Sequence, residues 1–190
     1  MSFEIKTVGI VGAGQMGNGI AHVCALAGYD VLLNDISKDR IEAGLAAIGK
    51  NLTRQVGSGK ITEAEKAAAL AHVMPALELA DLRPADLVIE SATEDEAVKR
   101  KIFTALVPNL RPETVLASNT SSISITRLAS ITDRPERFVG IHFMNPVPVM
   151  ELVELIRGIA TDDETFDVAR QFVDRVGKIS AIAEDFPAFM

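Results

Sequence analysis

His142 is the residue of this 190-residue sequence best placed to do proton chemistry. It ends a strand predicted over residues 138–142, and the turn-forming pair Asn145-Pro146 follows shortly after it. Open α/β sheets build their sites at the carboxyl ends of their strands. A neutral imidazole there can accept the proton of a substrate hydroxyl while a hydride leaves the same carbon. The sequence therefore predicts His142 as the general base of an alcohol oxidation.

A catalytic histidine needs an acceptor that orients its ring, and two carboxylates follow the proline turn. Glu154 lies within a strand predicted over residues 152–156, on the same face as Leu152 and Ile156. Glu151 stands at the start of that strand. The turn can fold the strand back beside His142, so the spacing favours Glu154 and leaves Glu151 as the alternative.

The other two histidines are weaker candidates. His22 falls inside the first predicted helix, where we expect it to pack or to lie on the surface. His72 precedes a weak strand, and we expect it to be solvated. We expect no bound metal.

Five polar residues, Ser118-Asn119-Thr120-Ser121-Ser122, follow a strand predicted over residues 114–117. Their hydroxyls and amide can hydrogen-bond a substrate oxygen or the nicotinamide ribose of a dinucleotide. The same residue types cap helices, and a short helix is predicted over residues 123–129. The sequence leaves both roles open.

The glycine-rich segment Gly12-Ala13-Gly14-Gln15-Met16-Gly17 has the residue types and spacing to bind a diphosphate. It lies between a predicted strand and a predicted helix, as this motif requires. Gly12 permits the tight turn, Gly14 lets the backbone approach the phosphates, and Gly17 lets helix and strand pack closely. The N–H groups and partial positive charge at the helix start then attract the phosphates.

Asp35 follows the second predicted strand, over residues 29–34. Its carboxylate is placed to accept hydrogen bonds from the ribose hydroxyls of an adenosine. A 2′-phosphate there would meet like charge, so the sequence favours NAD over NADP. A helix-capping aspartate is the alternative, which the complete strand–turn–helix–strand context disfavours. We predict NAD as the cofactor.

Strands and helices alternate along the rest of the chain. After the opening strand (6–11) and helix (15–27), strands are predicted over residues 73–75, 86–91, 114–117, 138–142, 152–156 and 179–183, and helices over 95–107, 123–129 and 162–176. This order predicts an α/β fold with a Rossmann-type, doubly wound, mostly parallel sheet. A helical hairpin is inserted at about residues 38–71, where the capping box Thr62-x-x-Glu65 opens its second helix.

Composition excludes several classes of function. The net charge is −7 and the chain has no dense Lys/Arg block, so we expect no nucleic acid partner. No apolar run is long enough for a membrane span. Cys24 is the single cysteine, which excludes an internal disulfide and favours a reducing compartment. We therefore expect a cytoplasmic protein.

Four stretches of the sequence resemble the L-3-hydroxyacyl-CoA dehydrogenase family, and within it the bacterial 3-hydroxybutyryl-CoA dehydrogenases. They are residues 8–17, 117–122, 140–150 and 184–187, and the resemblance runs essentially end to end. It implies NAD-dependent oxidation of an (S)-3-hydroxyacyl-CoA to the 3-oxoacyl-CoA, in fatty-acid or butanoate metabolism. Of the substrates in that class, 3-hydroxybutyryl-CoA is the expected one.

The resemblance also implies roles for single residues. The family's catalytic pair falls on His142 and Glu154, which decides against Glu151, and its substrate-contacting serine falls on Ser121. The cofactor-contacting positions are Gly12, Gly14, Gln15, Met16, Gly17, Asp35, Glu94, Lys99, Ser121 and Asn145. The family contacts the CoA nucleotide with its helical hairpin, where Arg54 and Lys60 are the predicted cations.

The resemblance finally implies a domain organisation. Residues 1–190 correspond to the NAD-binding domain, and family members continue into a helical domain that completes the substrate cleft and forms a homodimer. We expect that domain to be missing from this chain. The alternative to a working dehydrogenase is therefore an isolated module that binds NAD and CoA with little turnover.

Overall fold

Eight strands form the sheet that carries the candidate site. The computed structural model describes residues 4–185. The strands are β1 (Thr7–Val11), β2 (Asp30–Asn34), β3 (Val73–Ala76), β4 (Leu87–Glu90), β5 (Val115–Ser118), β6 (Phe138–Phe143), β7 (Leu152–Arg157) and β8 (Ile179–Glu184). The helices are α1 (Gln15–Leu26), α2 (Lys38–Gly57), α3 (Glu63–His72), α4 (Glu96–Leu106), α5 (Ile125–Ala129) and α6 (Asp163–Arg175).

The strand order across the sheet is β3-β2-β1-β4-β5-β6-β7-β8. Neighbouring strands are parallel except β6 and β7, which are antiparallel, so β7 and β8 run against the other six. The chain winds outward to β3 on one side of β1 and outward from β4 on the other. This confirms the predicted doubly wound, mostly parallel α/β sheet. The order reverses between β1 and β4, the position at which such sheets bind ligands.

The sheet is covered on both faces, as parallel sheets require. Val88 and Ile89 are successive residues of β4, and both are fully buried. Because side chains alternate along a strand, the two belong to different apolar clusters, one on each face. The sheet is therefore a rigid base from which the strand ends project their side chains.

The helical hairpin consists of α2 and α3. Ser37 caps α2 through a hydrogen bond from the backbone N–H of Arg40. The predicted capping box of α3 is present, since Thr62 and Glu65 exchange backbone and side-chain hydrogen bonds. Both helices contact α1, and Leu52 of α2 is buried in the same apolar cluster as α1.

Several predicted boundaries differ from the structure by one or two residues. The helix predicted over residues 123–129 begins at Ile125, because Ser124 is its N-cap and accepts the N–H of Arg127. Asp185 binds the same helix start, where it accepts the N–H groups of Ile125 and Thr126. Of the stretch at 184–187, residues 186 and 187 lie outside the described residues. Within residues 4–185, none of the helices is long and apolar enough to cross a membrane.

Candidate active site

The glycine turn joins β1 to α1, and its geometry explains each glycine. Gly12 has a φ of +102°, in the left-handed region that side chains rarely adopt. A Cβ on Gly17 would lie 1.6 Å from the carbonyl oxygen of Gly12, whereas a Cβ on Gly14 would meet no protein atom within 4 Å. Gly12 and Gly17 therefore serve the fold, and the space over Gly14 is open to a ligand.

The start of α1 is suited to an anion. Its N-cap, Gly14, has no side chain to accept the first amide hydrogens, and the first turn carries no acidic residue. The N–H groups of this turn and the helix dipole therefore face the open space over Gly14. These residues fit the diphosphate of a dinucleotide.

Asp35 lies directly after β2, beside the same turn. Its Oδ2 accepts the backbone N–H of Ala13 at 2.8 Å, and its Oδ1 accepts that of Ile36 at 2.7 Å. Asp35 lines a cavity of about 480 Å³ whose other walls include the apolar side chains of Leu79 and Val98. A cavity with apolar walls and the Asp35 carboxylate at its edge fits an adenosine, since the base is apolar on its faces and the sugar offers hydroxyls to the acid.

His142 and Glu154 occupy directly opposite positions on β6 and β7. The Nδ1 of His142 is 2.7 Å from the Oε2 of Glu154, and the two side chains are 17% and 21% exposed. Glu151 lies before β7, is exposed, and accepts the backbone N–H of Ile179 through its own carbonyl. The structure therefore brings Glu154 to the histidine and leaves Glu151 apart. A pair of this kind fixes the tautomer of the imidazole, with Nδ1 as the donor.

A cleft of about 440 Å³ lies between the glycine turn and His142. Asn145 reaches across part of it, since its Oδ1 accepts a hydrogen bond from Gln15 Nε2 at 3.1 Å. Eight of the predicted site residues line this cleft: Gly14, Gln15, Met16, Glu94, Lys99, Ser121, His142 and Asn145. The predicted diphosphate, proton-transfer and serine positions thus share one space.

Glu94 organises the polar segment that follows β5. Its Oε1 accepts hydrogen bonds of 2.8 to 3.1 Å from the hydroxyl of Thr120 and from the backbone N–H and hydroxyl groups of Ser121 and Ser122. Burial acts to raise the pKa of this carboxyl, but these hydrogen bonds outweigh it and hold the pKa below its usual value. An ionised Glu94 therefore positions Ser121. The contact to the cofactor that the resemblance implies for Glu94 stays a prediction.

Glu90 is a buried acid that our sequence analysis missed. It is the last residue of β4, and its Oε2 lies 2.6 Å from the Nζ of Lys99. The side chains of Lys99 and Glu90 are 1% and 0% exposed. The sequence did carry a signal for it. Glu90 is an acidic residue at the end of an apolar strand, and Asp35 likewise follows an apolar strand.

The remaining histidines lie away from the cleft. His22 is fully buried, with its Nε2 3.0 Å from Gln55 Oε1, and its burial lowers its pKa. It is a packing residue, one of the two roles we expected. His72 is half-buried rather than simply solvated, because its Nδ1 lies 2.8 Å from Asp30 Oδ1.

Arg54 and Lys60 line a further cavity of about 380 Å³ between the helical hairpin and the proline turn. Both side chains are exposed. Pro146 and Pro148 form the opposite wall, and Asn145, directly before them, lines the cleft. The two predicted cations therefore lie beside the segment that separates this cavity from the cleft.

Comparison with known proteins decides the family. The family of the 3-hydroxyacyl-CoA dehydrogenase NAD-binding domain matches residues 7–186. The chain belongs to this family. The predicted resemblance is therefore confirmed, and so is NAD as the cofactor.

Relatives of this NAD-binding domain share both its sequence and its structure. The chain is 63% identical over 190 residues to a 3-hydroxybutyryl-CoA dehydrogenase of Bradyrhizobium diazoefficiens, and it spans 65% of that relative's length. The crystal structure of (S)-3-hydroxybutyryl-CoA dehydrogenase from Ralstonia eutropha matches with a TM-score of 0.96 and 46% identity, over 98% of this chain and 66% of that one. The structure of FadB2 from Mycobacterium tuberculosis matches with a TM-score of 0.95 and 44% identity, over the same shares of the two chains.

Proposed function

We propose that this domain serves the NAD-dependent oxidation of an (S)-3-hydroxyacyl-CoA, with 3-hydroxybutyryl-CoA as the expected substrate, to the 3-oxoacyl-CoA. The observation that carries the proposal is that His142, paired with Glu154, lines the same cleft as the open glycine turn. A general base beside a nicotinamide site is what the oxidation of an alcohol requires. The names of the related enzymes from Bradyrhizobium and Ralstonia support the acyl-CoA substrate.

His142 accepts the hydroxyl proton of the substrate. Because Nδ1 is engaged with Glu154, Nε2 is the nitrogen that takes the proton. NAD, held by the glycine turn and Asp35, would supply the acceptor for the hydride of the substrate carbon. General base catalysis by a positioned imidazole contributes about 10²–10⁴-fold to the rate.

Glu154 and Ser121 support this transfer. The Glu154 carboxylate holds the ring in one orientation and stabilises the imidazolium that forms when His142 takes the proton. Ser121 is exposed at the cleft, and its backbone and hydroxyl are held by Glu94, so its side chain is placed to contact the substrate oxygen. Positioning of this kind lowers the entropic part of the barrier.

Binding of the CoA nucleotide is proposed for the cavity with Arg54 and Lys60. Two exposed cations suit its phosphates, and the segment at residues 145–148 is a wall shared by this cavity and the cleft. The reaction belongs to fatty-acid or butanoate metabolism. Homodimerisation and a cytoplasmic location stay predictions from the sequence and its resemblance.

The proposal is tested by two measurements on the same preparations. NADH binding is followed by fluorescence titration, and turnover by steady-state reduction of acetoacetyl-CoA. Both are done on this 190-residue chain and on a protein extended to the length of its relatives. We expect NADH binding by both proteins and turnover by the extended one, which a folded His142→Ala variant loses.

The alternative is a module that binds NAD and CoA with little turnover. The chain spans 65% of the length of its Bradyrhizobium relative, which is the observation that favours it. NADH binding without turnover by the 190-residue chain would assign that role to this chain, whereas turnover by the 190-residue chain itself would exclude it. Full turnover by an extended His142→Ala variant would refute the mechanism.

A further inference from the structure

We infer that Glu90 is a positioning residue of the cofactor site, which fixes the ammonium of Lys99 in the wall of the cleft. The inference rests on the proposed function and deepens it. Glu90 itself does not line the cleft, whereas Lys99 does. The action of Glu90 on the cofactor therefore passes through Lys99.

The position of Lys99 in its helix is unusual for a lysine. The buried residues of α4 are Lys99, Phe103 and Leu106, whose spacing forms one stripe facing the sheet. Lysine is almost never fully buried unless it is paired. A leucine would suit this position, so packing alone does not explain the lysine.

Folding stability does not explain the pair either. Removing two charges from water is expensive, and replacement of a buried ion pair by apolar residues is often neutral or stabilising. The Glu90–Lys99 pair is among the most deeply buried ionic contacts in residues 4–185. A buried ion pair that lowers stability and nevertheless lies beside a cleft indicates a role in that cleft.

Glu90 holds three segments with its two oxygens. Its Oε2 accepts the hydroxyl of Ser118 at 2.9 Å in addition to the Lys99 ammonium. Its Oε1 accepts the backbone N–H of Ala92 at 2.8 Å. The loop after β4, the helix α4 and the end of β5 are thereby fixed to one carboxylate. Each of these segments also contributes to the cleft, through Ala92, Lys99 and Asn119.

The chemistry of Lys99 indicates what it contacts. An ammonium has three N–H donors, and within residues 4–185 Lys99 donates one of them to Glu90, so donors remain for a ligand in the cleft. The pair is neutral overall, while the start of α1 supplies the attraction for phosphates. Lys99 therefore suits a neutral oxygen acceptor of the cofactor, a sugar hydroxyl or an amide carbonyl.

The experiment compares Glu90→Gln, Lys99→Met and the double variant with the parent chain. Each is examined by NADH fluorescence titration and by thermal unfolding. Glutamine at position 90 keeps an oxygen for the N–H of Ala92 but removes the charge that holds Lys99. We expect Glu90→Gln to weaken NADH binding about tenfold or more and to lower the unfolding midpoint.

The double variant separates positioning from stability. Because neither charge is then buried alone, its unfolding midpoint should return toward that of the parent. Its NADH affinity should stay as weak as that of Lys99→Met, since Glu90 acts only through Lys99. If Glu90→Gln alone does not fold, the NADH affinities of the double variant and of Lys99→Met still test the inference.

Asp86→Asn is the matched control at the opposite end of β4. Asp86 accepts the N–H groups of Lys6 and Thr7 and pairs with Arg111 at 2.7 Å, far from the cleft. This variant should lose stability and keep the NADH affinity of the parent.

Three outcomes overturn the inference. They are parental NADH affinity in folded Glu90→Gln, parental affinity in the double variant, and further loss of affinity in the double variant relative to Lys99→Met. A parent chain that does not bind NADH refutes the proposed function, and the inference falls with it. If the parent binds NADH and the variants bind it with the same affinity, only the inference is refuted.

Discussion

Asp35 and Ala13 connect the end of β2 to the glycine turn, because Asp35 Oδ2 accepts the backbone N–H of Ala13 at 2.8 Å. The bond fixes the carboxylate at the rim of the cavity that fits an adenosine. A carboxylate has about four acceptor positions, so Asp35 can hold the turn and still accept sugar hydroxyls. One residue thus holds the turn and is predicted to select the ligand beside it.

Asp35→Ala should weaken NADH binding about 10- to 100-fold, which corresponds to the free energy of hydrogen bonds to a charged acceptor. It should also reduce the preference for NADH over NADPH, because the negative charge that repels a 2′-phosphate is gone. Fluorescence titration with both nucleotides measures the two effects. Asp39→Ala, which removes an exposed acid in the first turn of α2, is the control and should bind as the parent does. Unchanged NADH affinity in Asp35→Ala would contradict the assignment.

Alanine at Gly14 and at Gly17 should have opposite consequences. At Gly17 the new Cβ would lie 1.6 Å from the oxygen of Gly12, so that variant should fail to fold or unfold at a much lower temperature. At Gly14 the Cβ meets no protein atom within 4 Å, so the unfolding midpoint should be close to that of the parent. NADH binding by Gly14→Ala should nevertheless fall at least tenfold, because the methyl group enters the phosphate space. Thermal unfolding and NADH titration of both variants test this, and parental affinity in Gly14→Ala would show that no phosphate lies there.

Glu154→Gln should lower kcat about 100-fold with little change in KM, measured in the protein extended to the length of its relatives. The amide cannot stabilise the imidazolium, and it can turn its NH₂ group toward Nδ1 and so favour the wrong tautomer. Glu151→Gln is the matched control, since Glu151 is exposed and lies before β7. Steady-state reduction of acetoacetyl-CoA by both variants gives the comparison. A larger loss of kcat in Glu151→Gln would reverse the assignment.

Local patterns made much of the fold predictable. The alternation of strands and helices, the strand–turn–helix context of the glycines and the capping box of α3 each depend on residues close in sequence. The return of β7 beside β6 was predictable as well, because a short proline turn joins them. Since His142 and Glu154 then lie in register, the sequence already favoured that pair.

The interactions that organise the cleft were not predictable in the same way. Glu94 reaches Ser121 and Ser122 across 27 and 28 residues of sequence, and the register of β4 against β5 brings Glu90 to Ser118. Such contacts depend on how strands are ordered in the sheet, which local periodicity does not specify. Lys99 lies on the buried stripe of α4, where the charge pattern gives no sign that its partner is the last residue of the preceding strand.

Acid should destabilise the loop that carries Ser121 through the protonation of Glu94. Burial alone would raise the pKa of Glu94, but the hydrogen bonds from Thr120, Ser121 and Ser122 outweigh it, so the folded pKa lies below the unfolded one. The unfolded chain therefore takes up the proton first as the pH falls. The stabilisation is complete above the ordinary glutamate value of about 4.3 and is lost as the pH falls through the lower folded value.

Urea unfolding of the parent and of Glu94→Gln between about pH 7 and about pH 3 measures this contribution. The difference in free energy of unfolding should be constant near neutrality and should shrink below about pH 4. Glu42→Gln is the control, because Glu42 is exposed on α2 and pairs with Lys38 at 3.4 Å, a contact of little energetic weight. A parent–variant difference for Glu94 that persists undiminished at the lowest pH would mean that the carboxylate charge does not hold the loop, and Ser121 would then owe its position to backbone packing alone.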